Sequence, residues 1–144
     1  MKKLFVALCL TCMAAGFTAC GTSRTAVASA DALNGEWKIV NVGGKDVKAA
    51  PGEKEAFIGL DVKEKRLYGN TGCNNLTGGF EADAKKGTIS FGQAGSTRMM
   101  CPDMDTEGKV LDAINRTRSF DMKKGGEMEF KSEDGKVLMT MEKK

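Results

Sequence analysis

The chain has 144 residues, 22 Lys and Arg against 19 Asp and Glu, no His, and 41% hydrophobic side chains. Lys and Glu alternate along the chain instead of forming a basic block with interleaved aromatics, so the formal charge of +3 leaves no electrostatic footprint for a nucleic-acid partner. Without His, the usual general base and the commonest metal ligand are missing.

Lys2 and Lys3 precede an apolar run from Leu4 to Met13 and then small residues from Ala14 to Ala19. This pattern predicts a secretory signal over residues 1–19 that is removed. The run is broken by Thr11 and Thr18 and is shorter than the roughly 20 apolar residues a membrane span needs. Once Lys2 and Lys3 leave, 22 basic side chains become 20 against 19 acidic.

Phe17, Thr18, Ala19 and Cys20 resemble the lipobox of bacterial lipoproteins, with Phe17 where Leu is usual. The resemblance implies that Cys20 is lipidated and becomes the new N-terminus. Ordinary cleavage at Ala28, Ser29 and Ala30 is the rival, but that site lies far beyond the apolar run. Several acyl chains on Cys20 would give a stable membrane anchor. Gly21 stands where an Asp would retain a lipoprotein in the inner membrane, so the expected place is the outer membrane, with the domain facing the periplasm. Residues 20–32 are expected to be the lipidated N-terminus and a flexible tether. Residues 33–144 then form one domain, large enough to bury its own core.

Cys9 and Cys12 make a C-x-x-C that belongs to the discarded signal. With Cys20 taken by lipid, Cys73 and Cys101 are the remaining thiols, and an even pair in an oxidising compartment predicts a disulfide. Closing that loop stabilises the fold by about 3.6 kcal/mol on the loop-entropy formula. A zinc site or a redox switch are the rivals, weakened by the lack of His and of a second thiol pair.

Turn signals divide the domain at Gly43 and Gly44, Lys63 to Lys65, Gly78 and Gly79, Lys85 to Gly87, Lys123 to Gly126, and Asp134 with Gly135. Between them, apolar residues recur every second position: Trp37 and Ile39, Ile58 with Leu60 and Val62, Ile89 and Phe91, Met128 and Phe130, Met139 and Met141. One segment changes period. Met104, Val110, Leu111 and Ile114 fall near helical spacing behind Asp103, Asp105 and Glu107, which predicts a helix over 105–116 weakened by Gly108. Many short antiparallel strands with one helix predict a mainly β chain, a small closed or nearly closed barrel of about seven to eight strands. Trp37, Phe57, Leu60, Ile89, Phe91, Phe130 and the methionines are its expected filling. Met99, Met100, Met104, Met122, Met128, Met139 and Met141 are read as core packing in preference to a soft-metal or peptide site.

Gly69, Asn70, Thr71, Gly72, Cys73, Asn74 and Asn75, followed by Gly78, Gly79 and Phe80, resemble the GCN signature of META domains, the family containing the HslJ heat-shock lipoproteins. Thr97, Arg98, Met99, Met100 and Cys101 with Glu107 fit a second block, and Leu33 to Trp37 resembles the first META strand. The resemblance spans the whole domain and implies a lipocalin-like antiparallel barrel with one helix. It brings no established catalytic residue. Heat-inducible members are associated with novobiocin resistance, a phenotype and not a chemistry.

No glycine-rich loop here has the Lys and Ser or Thr of a phosphate cradle, and no grouping of Ser, Lys or carboxylates has catalytic spacing, so neither cofactor, metal nor catalytic residue is expected. Asn74, Asn75 and Arg98 are the candidate binding patch, expected to lie exposed beside the disulfide. Asparagine amides and an arginine fork together suit a carboxylate, phosphate or sugar. The bland reading is that these residues and the nearby glycines only satisfy turns. The functional expectation is a non-catalytic envelope lipoprotein aiding stress tolerance through a periplasmic partner or ligand. Its alternative is an enzyme whose carboxylates are brought together by the fold.

Overall fold

Apolar residues at every second position bury one face of each strand, and here those faces turn inward around a closed circuit. The computed structural model describes residues 29–49 and 51–144. The expected signal and Cys20 lie outside the described residues.

In chain order the strands are β1 (Gly35–Val42), β2 (Lys45–Asp46), β3 (Phe57–Asp61), β4 (Arg66–Asn70), β5 (Asn75–Asp83), β6 (Thr88–Phe91), β7 (Gly95–Ser96), then helix α1 (Met104–Arg116), β8 (Ser119–Met122), β9 (Glu127–Lys131) and β10 (Val137–Lys143). Eight of these close an antiparallel barrel in the order β1-β3-β4-β5-β6-β8-β9-β10, sealed by β10 on β1. The short β2 and β7 pair outside the circuit, on β1 and β5. Closure leaves no long edge strand unpaired.

The expected period-two pairs mostly face inward: Trp37, Ile39, Ile58, Leu60, Ile89, Met128, Phe130, Met139 and Met141 are all buried. Val42 is buried too, out of phase with Ile39, because a bulge between Ile39 and Asn41 shifts the register against β10. Phe57 departs from expectation. It lies against the edge of Tyr68 with the Lys144 ammonium 4.5 Å over its ring, outside the core cluster.

Gly78 and Gly79 are not a turn but lie within β5, where they pair with Leu67 and Arg66. A side chain on Gly78 would meet the Ala94 Cα at 3.3 Å, so glycine here serves a close chain crossing and not a reversal. At the other boundary, Ala30–Leu33 forms a short 3-10 turn, and the Trp37 indole donates to the Leu33 carbonyl across 2.8 Å. The last residues of the expected tether therefore belong to the folded domain.

Antiparallel connectivity sorts the loops into two ends. The β4–β5 turn, the β1–β2 and β9–β10 hairpins and α1 share one end; the Ala30–Leu33 turn, Lys144 and the β3–β4, β5–β6 and β8–β9 turns share the other. Helix α1 buries Thr106, Glu107, Val110, Ala113 and Ile114. Its apolar stripe thereby closes the first end.

Candidate functional site

Cys73 and Cys101 are joined as expected, with alpha carbons 6.2 Å apart, inside the ordinary disulfide range. The bond ties the β4–β5 turn to the segment that leads from β7 into α1. The turn is held by its own groups: Asn70 Oδ1 accepts from the Gly72 amide at 2.8 Å, and the Asn74 carbonyl accepts from the Thr71 amide at 2.9 Å. Gly69 before it has φ +156°, and any side chain there would meet the Phe57 carbonyl oxygen at 2.2 Å. The glycine of this block is therefore required by a backbone approach.

Asn74 corrects the expected exposed patch, because its side chain is completely buried. Its Nδ2 donates to Glu107 Oε2 at 2.5 Å and to the Met99 carbonyl at 3.1 Å. Its Oδ1 accepts from Thr97 Oγ1 and from the Met99 amide, both at 2.8 Å. Both protons and both lone pairs of the amide are thus used. Glu107 Oε1 accepts in turn from Ser96 Oγ at 2.9 Å. Glu107 is therefore more than an acid favouring the helix N-terminus. It is a buried carboxylate fully engaged between loop and helix.

Asn75 and Arg98 remain exposed, on neighbouring segments joined by Asn75 N–H donating to Thr97 Oγ1 at 3.0 Å and Thr97 N–H donating to the Asn75 carbonyl at 3.0 Å. The Asn75 Oδ1 accepts from Asn70 Nδ2 at 3.1 Å. Arg98 makes no hydrogen bond or ion pair among the described residues. The expected patch thus divides into a buried organiser, Asn74, and two surface residues that it positions.

The methionines divide as well. Met128, Met139 and Met141 fill the core and Met122 packs against it, but Met99 is 51%, Met104 49% and Met100 99% exposed, contrary to the core expectation. Met99 and Met100 sit where the backbone is tied to Asn74 and not to a strand partner, so no pleat turns them inward. Glu107 was the residue hidden from a charge-based reading. Its signal was spacing, since Glu107, Val110 and Ile114 share one helix stripe.

Beside the disulfide lies a cleft of about 30 Å³ lined by Thr71, Gly72, Cys73, Cys101, Asp103 and Thr106. That is room for about one water and not for a metabolite. A wider open groove of about 560 Å³ runs between α1 and the two hairpins, where Lys109 pairs with Asp105 and Arg116 with Asp112. No group of three or more Cys, Asp or Glu able to hold a metal occurs among the described residues.

A closed antiparallel barrel, capped by one helix and carrying a disulfide-stapled loop, defines the class of this protein. The META domain model matches residues 30–144, and the chain belongs to that family. Solved structures agree on the fold. A protein from Burkholderia xenovorans, determined by NMR, is 20% identical over 77% of this chain and 82% of its own, with a TM-score of 0.58. A second NMR structure is 16% identical over 76% and 89%, also with a TM-score of 0.58. A crystal structure of a DUF4847 family protein from Bacteroides vulgatus is 13% identical over 78% and 94%, with a TM-score of 0.55. Among curated proteins none matches. Neither the family description nor these structures' descriptions indicate catalysis.

Proposed function

We propose that this chain is a lipoprotein anchored in the outer membrane through Cys20, whose META domain faces the periplasm and supports envelope stress tolerance by binding a partner or small ligand without catalysis. The observation that carries the binding part is the loop from Thr97 to Cys101. Its backbone is held by Asn74 and the disulfide, yet Arg98, Met99 and Met100 are exposed. Neighbouring exposed apolar side chains with an arginine, on a loop fixed from behind, have the composition of a recognition surface, where Met and Arg are enriched. The barrel interior is taken up by buried side chains from Leu33 to Met141, which favours the outside of the domain over an internal ligand site.

The test is to replace Arg98 and Met100 with Glu, singly, in the full chain. Both variants are expected to keep the thermal melt and the disulfide while cells lose the stress phenotype. Stable variants with a full phenotype would remove this surface from the function. The anchor is tested apart from it: Cys20→Ala is expected to abolish lipid labelling and membrane fractionation, and unchanged fractionation would refute the anchor.

A further inference from the structure

The barrel end where the chain enters has an uneven distribution of charge that neither the disulfide loop nor the helix explains. The β3–β4 turn at residues 62–65 carries Lys63 and Lys65, the β5–β6 turn at 84–87 carries Lys85 and Lys86, and the β8–β9 turn at 123–126 carries Lys123 and Lys124. Lys143 and Lys144 end the chain beside them, where the Lys143 amide donates to the Gly126 carbonyl and the Lys144 amide to Glu36. Glu64 is the one acid within these turns. The other acids at this end stand behind the turn tips: Glu81, Asp83 and Glu129 hold Lys65, Lys86 and Lys123, Asp61 pairs with Arg66 and Glu36 with Lys144, Glu127 and Glu142 face each other across β9 and β10, and Asp31 is exposed on the 3-10 turn.

Lys143 turns inward, its ammonium 4.3 Å over the Trp37 ring and donating to the Asn34 carbonyl, and burial lowers its proton affinity. Lys63, Lys85 and Lys124 are different. Each is exposed at a separate turn tip and forms no ion pair among the described residues. At the opposite end, Asp103, Asp105, Asp112, Glu133 and Asp134 offset the cations. The two ends of the barrel therefore present different surfaces.

We propose that this lysine-tipped end is a membrane-facing surface, with Lys63, Lys85 and Lys124 contacting the anionic headgroups of phospholipid. Residues 29–34 reach the domain at this same end. A domain tethered there meets the bilayer with its lysines, and the loop of Arg98 and Met100 points away from it. Each lysine near an anionic surface strengthens binding by about fivefold, and the attraction fades within a Debye length. The orientation gains force from the lipid anchor, but the charge surface stands without it.

Residues 21–144 contain the whole closed barrel, its core and its disulfide, so this unlipidated chain tests the surface alone. It is mixed with vesicles of phosphatidylglycerol in phosphatidylcholine, or of phosphatidylcholine only, and sedimented at two salt concentrations. Binding to the anionic vesicles that falls with salt is the expected result. Joint replacement of Lys63, Lys85 and Lys124 by Gln is expected to weaken it about a hundredfold, while Lys54→Gln with Lys136→Gln leaves it unchanged. Equal retention on both vesicles, equal loss in both sets of variants, or binding to soluble polyphosphate but to no vesicle would overturn the proposal. Lipid labelling of the full chain is read separately, so vesicle binding with an unlabelled Cys20 would remove the anchor and keep this surface.

Discussion

Asn74 and Glu107 meet across 2.5 Å in a buried hydrogen bond that joins the β4–β5 turn to the helix capping the barrel. The disulfide lies beside this bond, with Asn74 Nδ2 3.5 Å from Cys101 Sγ. A covalent tie to the segment before α1 and a polar tie to the helix itself thus hold the β4–β5 turn in place. The exposed loop between β7 and α1 inherits its position from both.

Asn74→Ala is expected to lower stability by about 3 kcal/mol, because it strips a donor from a buried carboxylate and leaves the Met99 amide without its acceptor. Chemical denaturation checks this, and a loss below about 1 kcal/mol, the ordinary cost of a point change, would show that the network is dispensable.

Asn74→Asp is expected to behave differently with pH. The new carboxylate would face Glu107, and two like charges at that distance raise the proton affinity of the pair. The protonated pair is favoured in the folded state, so stability falls as pH rises through the raised value. The variant should melt lowest at neutral pH and recover as the solution is acidified, whereas a flat profile would contradict the burial of this pair.

Replacing Cys73 and Cys101 together by Ala is expected to cost roughly 2 to 5 kcal/mol. The protein isolated from an oxidising compartment should show no free thiol at these positions on labelling under non-reducing denaturation. Two labelled cysteines in the parent chain would refute the bond.

Much of this fold is legible in the residues. The inward faces of β1, β3, β9 and β10 follow two-residue spacing, α1 follows helical spacing and begins one residue before the expected Asp105, and the cysteine pair follows from counting. What is hidden depends on contacts distant in the chain. Gly78 and Gly79 read as a turn because the need for glycine at Gly78 comes from Ala94, which passes over the strand. Asn74 reads as a surface amide because its partners lie 25 and 33 residues away. Nothing in residue type separates Met100 from Met141. Only the pairing of Met141 with Ile39 and Met128 gives it an inward face.

Gly108→Ala is expected to stabilise the domain by up to about 1 kcal/mol, since Ala exceeds Gly in helix propensity and reduces unfolded-chain entropy. The position is exposed, its φ is not positive, and an added methyl would meet nothing within 4 Å. Thermal melts decide it, and a destabilised variant would mean that the helix does not run through this residue.

Asp103 is the N-cap of α1, its Oδ1 accepting from the Thr106 amide at 3.0 Å and its Oδ2 from the Thr106 hydroxyl at 2.6 Å. The Thr106 hydroxyl first, and then the Thr106 amide, hold its proton affinity below the usual 3.8. A carboxyl depressed in the folded state stabilises the protein above its unfolded value and loses that contribution as pH falls through the folded one. Asp103→Ala is therefore expected to cost about 1 kcal/mol at neutral pH, the worth of an N-cap. The gap to the parent should narrow only as the solution is acidified below 3.8. Because Asp103 is exposed, solvent screens the ionic part, so Asp103→Asn should retain most of the stability. Melts of the three proteins across this range give the answer, and a gap independent of pH down to the acid limit would show that the cap does not act through its carboxylate.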